Sequence, residues 1–300
     1  MNSLPPESRV PSPESRASVS SPESGLPGTI AFLGGGNMAR ALIGGLLRNG
    51  APIASLRVSE PRAETRAALA HEFGIATYAD NTAVASGAGL WVLAVKPQVL
   101  RAVCTALAPL AQRQRPLLLS IAAGIRGDQI ERWLGGDLAV VRAMPNTPAL
   151  LGAGATALHA NARVDGAGRA QAAAVMQAAG IVCWIDDEVQ MDVVTALSGS
   201  GPAYFFLLAE ALQAAAAELG LPPATARLLA AQTCLGAGRM LREDGADAAA
   251  LRQRVTSPGG TTAAALDTFD RGGFGALVTR AVRAAAQRAA ELSVQAETAP

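Results

Sequence analysis

The sequence has few of the side chains that build metal centres and proton relays. Two histidines occur among its 300 residues, and His71 and His159 lie outside any cluster with ligand spacing. This scarcity argues against a metal site and against a histidine general base. Three cysteines, an odd number, lie among apolar residues at Cys104, Cys183 and Cys234. They favour reduced core thiols in a cytoplasmic protein over a disulfide framework.

A large net charge and a long apolar run are also missing. The formal net charge is +1 at pH 7, so there is no general attraction to nucleic acid or to an anionic membrane. The most apolar run, residues 204–217, contains Glu210 and Gln213 and is too short to span a bilayer. Neither nucleic acid nor a membrane is therefore an expected partner. Because half of the residues are hydrophobic, the chain can bury a sizeable core, and its length indicates about two domains.

Residues 1–27 have the composition of a disordered tail. Ser, Pro, Glu and Arg dominate, and Pro-Glu-Ser recurs three times. Such a segment has too little apolar surface to offset the entropy cost of ordering, and it lacks the apolar centre of a secretory signal. We therefore expect a disordered tail, with folded chain from residue 28 onward.

A dinucleotide-binding fingerprint follows the tail. Residues 29–33 are typical of a buried strand, and they run into Gly34-Gly35-Gly36-Asn37-Met38-Ala39 and then into a helical pattern. This is a G-x-G-x-x-A motif between a strand and a helix. Gly34 would make the turn, Gly36 would let a pyrophosphate approach the backbone, and Ala39 would permit close helix packing. A tight turn without a ligand is the alternative, but the context favours a cofactor.

The end of the second predicted strand, residues 55–58, should choose between the nicotinamide cofactors. Ser59 follows that strand and Arg62 is close behind, a combination that accommodates the 2′-phosphate of NADPH. Glu60 could instead bond the ribose 2′-OH of NADH, or it could be an ordinary surface charge. The residues thus favour NADPH and leave NADH open.

Further apolar strands alternate with helical or turn-rich segments and are predicted over residues 75–78, 90–95, 117–121, 139–143, 155–159 and 181–185. This alternation is typical of an α/β fold with a doubly wound, Rossmann-like, mostly parallel sheet. Ligands of such sheets bind at the carboxyl ends of the strands. The sequence places there Asp80-Asn81, Lys96-Pro97-Gln98, residues 120–124 and residues 144–148. Lys96 suits a ligand phosphate, although it could equally be a surface lysine.

The pattern becomes almost purely helical after residue 188. We therefore expect a dinucleotide-binding domain over residues 28–186 and an all-helical substrate and dimerisation domain over residues 187–300. Ser200 is a suitable N-cap, and Pro202 a suitable first-turn residue, for the first long helix.

Two long helices are predicted in the second half, over residues 203–219 and 224–243. They are apolar and rich in small residues, so that other helices can approach them closely. Burial against a second subunit would cover them and predicts a homodimer. Burial against the first domain alone is the alternative.

The turn over residues 254–262 predicts an anion site. Gly259 and Gly260 permit positive φ and a close backbone approach, and the Ala-rich run behind them should start a helix. The free N–H groups of that helix, with the hydroxyls of Thr261 and Thr262, favour a carboxylate or a phosphate. An ordinary loop and helix cap is the alternative.

The chain resembles the pyrroline-5-carboxylate reductases in five motifs, which are Gly34-Gly35-Gly36-Asn37-Met38, Ala94-Val95-Lys96-Pro97-Gln98, Met144-Pro145-Asn146-Thr147-Pro148, Leu197-Ser198-Gly199-Ser200-Gly201-Pro202-Ala203-Tyr204 and Val255-Thr256-Ser257-Pro258-Gly259-Gly260-Thr261-Thr262. The likeness extends from about residue 28 to the C-terminal helix. It implies NAD(P)H-dependent reduction of 1-pyrroline-5-carboxylate to L-proline, the last step of proline biosynthesis. It also implies a homodimer or an assembly of dimers with interleaved C-terminal helices.

The resemblance also implies roles for individual residues. Thr262 would lie nearest the imine nitrogen, and Thr195 would lie at the same pocket. The substrate carboxylate would be held by Ser257, Gly259, Gly260, Thr261 and Thr262. Together with Arg62, the residues expected against the cofactor are Gly34, Gly35, Gly36, Asn37, Met38, Ser59, Asn81, Ala94, Val95, Lys96, Pro97, Ala122, Gly124, Met144 and Pro145.

Two departures from the family pattern leave other functions open. The Ser59-Glu60 pair does not decide between NADPH and NADH, and residues 242–245 have no clear counterpart. A related β-hydroxyacid dehydrogenase would share the glycine loop and could use Lys96 as its catalytic group. A non-catalytic nucleotide-binding protein is the third hypothesis. The intact motif over residues 257–262, which we call the clamp turn because it would hold the substrate carboxylate, argues against it.

Overall fold

The computed structural model describes Leu26 and residues 28–298, so the expected disorder of residues 1–27 lies, apart from Leu26, outside the described residues. The strands are β1 Ile30–Leu33, β2 Leu56–Ser59, β3 Ala76–Tyr78, β4 Leu90–Leu93, β5 Leu117–Ser120, β6 Val140–Met144, β7 Gly154–Ala160 and β8 Gly180–Trp184. The helices are α1 Asn37–Arg48, α2 Ala63–Phe73, α3 Asn81–Ala85, α4 Pro97–Gln114, α5 Gly127–Trp133, α6 Gly166–Gln177, α7 Gln190–Val194, α8 Gly201–Glu218, α9 Pro223–Glu243, α10 Ala248–Arg254, α11 Thr261–Arg271 and α12 Phe274–Thr298.

The strands form one sheet in the order β3-β2-β1-β4-β5-β6-β7-β8. Neighbours from β3 to β6 run parallel, β7 runs antiparallel to β6, and β8 is parallel to β7. The mostly parallel, Rossmann-like sheet is therefore confirmed. Chain order reverses between β1 and β4, and a crevice at such a switch point is where open α/β sheets bind ligands.

The central strands β1, β4, β5 and β6 are buried on both faces, which explains why they are mostly apolar runs, whereas the edge strands β3 and β8 are partly exposed. Ile30 and Phe32 of β1 pack in one hydrophobic cluster, together with residues of α1 and α6. Ala31 and Leu33 point to the opposite cluster, which includes residues of α4 and α5. Successive side chains alternate between faces, so each face of β1 anchors one helical layer. This packing fixes the carboxyl ends of the strands relative to one another.

The second half is helical, and its first helix is longer than the sequence suggested. The chain continues from α7 through a π-helical turn, Thr195–Gly199, directly into α8. The prediction of Ser200 as a capping side chain is therefore wrong. Ser200 has helical dihedral angles, and its N–H donates to the Thr195 carbonyl at 2.8 Å. The division of the chain into domains at residue 186, which precedes α7, stays a prediction.

The cysteines are only partly as expected. Cys104 is buried in the sheet domain, and burial raises the pKa of its thiol to about 12. Cys183 and Cys234 are exposed, so their assignment as core thiols is wrong. Cys183 lies on the edge strand β8, and Cys234 lies on α9, a helix whose apolar residues are largely uncovered within the described chain.

Candidate active site

The glycine loop has the geometry of a dinucleotide cradle. Gly34 has φ +103°, and a Cβ built on it would lie 2.6 Å from the Ala94 carbonyl oxygen, so both the dihedral angle and the neighbouring strand require glycine. A Cβ built on Gly36 meets no described atom within 4 Å. No side chain in the described residues caps the N-terminus of α1 behind Gly36. Open space in front of free backbone N–H groups is what a pyrophosphate needs.

Backbone hydrogen bonds bring the strand ends around this loop together. The Gly34 N–H donates to the Ser59 carbonyl at 2.9 Å, and the Ala94 N–H donates to the Leu33 carbonyl at 2.8 Å. The Ser59 hydroxyl donates to Oδ1 of Asn81 at 2.6 Å. Residues predicted at the cofactor from four separate segments thus occupy one edge of the sheet.

Glu60 is built into the loop rather than solvated, so the interpretation of Glu60 as a surface charge is wrong. Glu60 is only 6% exposed. One carboxylate oxygen accepts from the Gly35 N–H at 3.4 Å, and the other accepts from Nε of Arg62 at 3.0 Å. Burial raises the pKa of Glu60, but the hydrogen bonds from Arg62 and Gly35 outweigh it, so the pKa of Glu60 lies below its ordinary value. The Arg62 side chain remains mostly exposed and can still meet a ligand.

Lys96 lies at the mouth of β4, as the sequence predicted. It immediately precedes α4, which starts with Pro97, and its side chain is exposed. Lys96 is the only lysine of the chain, and the other 24 Lys and Arg side chains are arginines. Ala94 and Val95 beside it are half-buried and lead from the strand to this position. The arrangement can place one compact cation near a ligand phosphate.

The carboxyl ends of β5 and β6 adjoin the π-helical turn. Gly124 has φ +73° and packs under Leu292 of α12, and Ala122 and Pro145 are buried. A Cβ on Gly199 would lie 2.5 Å from Cε of Met144, so the end of β6 touches the turn that begins with Thr195. The structure therefore brings the turn that contains Thr195 against Met144, one of the residues that the resemblance assigns to the cofactor.

Hydrogen bonds define the π-helical turn from both sides. The Thr195 hydroxyl donates to the Met191 carbonyl at 2.8 Å, and the Tyr204 hydroxyl donates to the Ala196 carbonyl at 2.9 Å. Nδ2 of Asn146 donates to the Ser198 carbonyl at 3.0 Å. Asn146 was missed as a contributor, although its place directly after Met144-Pro145 was a signal. π-helical turns occur often at functional sites.

The clamp turn leads into a helix whose N-terminus is open. α11 begins at Thr261, and within the described residues no side chain caps it. Gly259 has φ +69° as expected, whereas Gly260 has φ −79°, so positive φ at Gly260 was wrong. Glycine is still favoured at 260, because a Cβ there would lie 3.1 Å from the Ser257 carbonyl oxygen. Ser257, Gly259 and Thr261 are exposed, and Thr262 is half-buried.

Comparison with known proteins identifies the family of the chain. Residues 188–292 match the family model described as pyrroline-5-carboxylate reductase dimerisation, and residues 29–124 match one described as NADP oxidoreductase coenzyme F420-dependent. A pyrroline-5-carboxylate reductase of Pseudomonas aeruginosa is 53% identical over 266 residues, which cover 89% of this chain and 97% of that protein. The chain belongs to the pyrroline-5-carboxylate reductase family.

Solved pyrroline-5-carboxylate reductases share the whole fold. The enzyme of Coxiella burnetii matches with a TM-score of 0.86 at 44% identity, covering 89% of this chain and 99% of that one. The enzyme of Plasmodium falciparum, with NADP bound, matches with a TM-score of 0.77 at 28% identity, covering 88% and 98%. Among the described helices of this family member, none is long and apolar enough to cross a membrane. The described residues also contain no group of three or more His, Cys, Asp or Glu able to hold a metal ion.

Proposed function

We propose that the chain reduces the C=N bond of 1-pyrroline-5-carboxylate to form L-proline, with NADPH as its preferred cofactor. The observation that carries the proposal is the 53% identity to the Pseudomonas aeruginosa pyrroline-5-carboxylate reductase, which extends over 89% of the chain. This identity covers both the dinucleotide-binding part and the helical part of the chain. A dinucleotide fold alone would say little about the substrate.

The chemistry suits a chain that is poor in histidine. When bound, a reduced nicotinamide supplies the hydride for the imine carbon. A cyclic imine can arrive already protonated at nitrogen, so the chain mainly has to hold the two reactants in line. We assign Thr262 to the imine nitrogen and Thr195 to the same pocket. Their hydroxyls can orient the substrate without a basic residue.

For the cofactor, we assign the pyrophosphate to the glycine loop and the 2′-phosphate to the end of β2. Arg62, whose side chain is 72% exposed, supplies a cation there, and the buried Ser59 hydroxyl holds Asn81 at this position by donating to its Oδ1 at 2.6 Å. Glu60, the residue that would favour NADH, already accepts hydrogen bonds from Arg62 and the Gly35 N–H. A carboxylate that is engaged in this way is less free to bond a ribose hydroxyl, which supports NADPH over NADH. Lys96 and Asn81 complete this edge.

For the substrate, we assign the carboxylate to the start of α11. The N–H groups of its first turn, the hydroxyls of Thr261 and Thr262, and the Ser257 side chain converge on one helix N-terminus. The helix dipole favours an anion at this end. The cofactor phosphates and the substrate carboxylate would then occupy two separate helix starts, α1 and α11.

We further propose that the chain works as a homodimer in the cytoplasm. Phe206 and Leu207 on α8 are 68% and 67% exposed, and Leu229 on α9 is 54% exposed. An apolar groove of about 660 Å³ runs between these helices, lined by Phe205, Leu208, Leu212, Thr233, Ala237 and Leu241 among others. Apolar helices left uncovered by their own chain are typical of a subunit interface. The match of this half to the dimerisation model supports the same assembly.

Dimerisation would also complete the active site. Apart from the Arg254–Asp244 ion pair and the bonds inside α11, the hydrogen bonds of residues 254–262 stay within residues 252–264, and much of the turn is exposed. We propose that the partner subunit's clamp closes over the nicotinamide. The test is a mixed dimer of Gly36→Ala and Thr262→Ala subunits, co-expressed with two different tags and assayed at an NADPH concentration well below the Kd of the Gly36→Ala variant. If the site is shared, one of its two sites is intact and about half of wild-type activity returns. An inactive mixed dimer would place both halves in one subunit.

The overall proposal is tested by one assay. NADPH and NADH oxidation are followed separately with purified protein and 1-pyrroline-5-carboxylate, and the proline formed is quantified. We expect one proline per cofactor oxidised and a higher kcat/KM with NADPH. Turnover of a β-hydroxyacid without turnover of the imine would favour the dehydrogenase hypothesis instead. Cofactor binding without oxidation in either case would favour a nucleotide-binding protein.

A further inference from the structure

Glu188 joins three segments that border the candidate site, although none of the roles assigned above includes it. Its Oε1 accepts from the Gly127 N–H at 2.7 Å and from Nη1 of Arg142 at 3.1 Å. The Arg142 side chain is 4% exposed, and that of Glu188 is 21% exposed. If either side chain of such a weakly exposed ion pair moves away, a charge is left without its partner, which is costly. The pair therefore holds its geometry.

The same residue belongs to the turn that leads into the Thr195 segment. The Glu188 carbonyl accepts from the Met191 N–H at 2.9 Å, and the Met191 carbonyl accepts from the Thr195 hydroxyl at 2.8 Å. Asp192 lies on α7, four residues after Glu188, which lies in the turn before that helix. Burial raises the pKa of Asp192, and the nearby Arg142 opposes that effect. Arg142 thus attracts two carboxylates that repel each other, Glu188 in the turn before α7 and Asp192 on α7.

Each of the three joined segments also contains a residue of the candidate site. Arg142 lies two residues before Met144 on β6, Gly127 lies three residues after Gly124, and Glu188 lies seven residues before Thr195. We propose that Glu188 is a positioning residue for imine reduction, holding the Thr195 turn at a fixed distance from the ends of β5 and β6, which carry residues assigned to the cofactor. The inference rests on the proposed function. Reactants that must meet in line lose rate steeply when one side of the pocket shifts.

Glu131 provides a matched control. Its side chain is 22% exposed and pairs with Arg163 at 2.9 Å, and it also accepts from Asn161. Asn161 follows β7 and bonds to residues 138 and 140, which lie at the amino end of β6. Glu131→Gln therefore disrupts a carboxylate of similar exposure on α5, near the amino end of β6 and away from the carboxyl ends where the cofactor is assigned.

The experiment compares Glu188→Gln, Glu188→Ala and Glu131→Gln with the wild-type full-length chain. Three quantities are measured: the stoichiometry of NADPH binding, kcat for 1-pyrroline-5-carboxylate, and the isotope effect on kcat with NADPH deuterated at nicotinamide C4. Glu188→Gln can still accept from the Gly127 N–H but loses the charge that pairs with Arg142. It keeps the test valid if Glu188→Ala does not fold.

We expect full NADPH stoichiometry in all folded variants and a wild-type kcat in Glu131→Gln. In the Glu188 variants kcat should fall about 10-fold to 100-fold, with an isotope effect at least as large as that of the wild type, because hydride transfer itself is slowed. A Glu188→Gln kcat within about twofold of Glu131→Gln would overturn the inference. So would a loss that equals the drop in binding stoichiometry. If the wild type does not turn over the imine, the proposed function fails and this inference fails with it.

Discussion

The Gly36→Ala variant separates cofactor binding from folding. Gly36 has φ −71° and ψ −177°, which other residues also adopt, and its Cβ would meet no described atom within 4 Å. Replacing Gly by Ala at a compatible position stabilises by about 0.4–1 kcal/mol through the unfolded chain. Ala is a poorer N-cap than Gly, by about 0.5–1 kcal/mol. The two effects offset, so the free energy of unfolding should stay within about 0.5 kcal/mol of the wild-type value.

Binding should respond quite differently. The added methyl group would fill the space through which a pyrophosphate approaches the loop. We expect the Kd for NADPH to rise at least 10-fold, a loss of about 1.4 kcal/mol. The contrasting variant is Gly34→Ala, where φ is +103° and the Cβ would lie 2.6 Å from the Ala94 carbonyl oxygen. Strain there costs about 1–3 kcal/mol, so this variant should lose stability as well.

Two measurements check this pair. Fluorescence titration with NADPH gives Kd, and thermal unfolding without cofactor gives Tm. Gly36→Ala should keep its Tm and lose affinity, whereas Gly34→Ala should show a lower Tm. Wild-type NADPH affinity in a folded Gly36→Ala protein would refute the assignment of the pyrophosphate to this loop.

Substitutions at three further residues test other parts of the site. Thr262→Ala should lower kcat for 1-pyrroline-5-carboxylate about 100-fold while NADPH affinity stays near normal; steady-state kinetics with surviving turnover would show that Thr262 is misplaced. Lys96→Met should raise the Kd for NADPH about 10-fold, because one charge-assisted hydrogen bond is lost. Lys96→Arg keeps the charge, so its Kd should lie between those of the wild type and Lys96→Met. Equal Kd values for the two variants would argue against a phosphate contact. Because the pKa of Glu60 is lowered in the folded state, its stabilising effect is present above the ordinary value of 4.5 and is lost as pH falls through the lower folded value. Denaturant unfolding between about pH 5 and pH 3 should therefore lose stability more steeply in the wild type than in Glu60→Gln, and parallel curves would contradict the shift.

Most of the sheet could be predicted because burial on two faces leaves a clear mark. The central strands β1, β4, β5 and β6 appear in the sequence as short, mostly apolar runs, and the glycine loop lies between its strand and helix as expected. The reversed direction of β7 has no such mark. Strand direction is set by how residues 145–153 turn, and an apolar run reads the same in either direction.

The π-helical turn could not be predicted from local rules. Residues 198–202, Ser-Gly-Ser-Gly-Pro, have the composition of a loop and a helix start, which is why Ser200 was assigned as a cap. In the fold the helix runs through them. The Asn146 side chain holds the Ser198 carbonyl from a distant segment, and the Ser200 N–H bonds to the Thr195 carbonyl instead of ending the helix.

Charged residues of the site carried weaker signals than glycines. Glu188 carried no signal in the sequence, because its partners Arg142 and Gly127 lie 46 and 61 residues away in sequence. Lys96 did carry a signal, since a chain that otherwise uses only arginine keeps a single lysine at a strand end. The roles of the individual site residues stay predictions.

The most direct test of the central claim concerns the substrate carboxylate. The kcat/KM of the wild-type chain is measured with NADPH for 1-pyrroline-5-carboxylate and for 1-pyrroline, which has the same imine ring without the carboxylate. If the turn over residues 257–262 holds that carboxylate through charge-assisted hydrogen bonds, 1-pyrroline should be reduced at least about 100-fold less efficiently. Equal kcat/KM values for the two imines would contradict the claim.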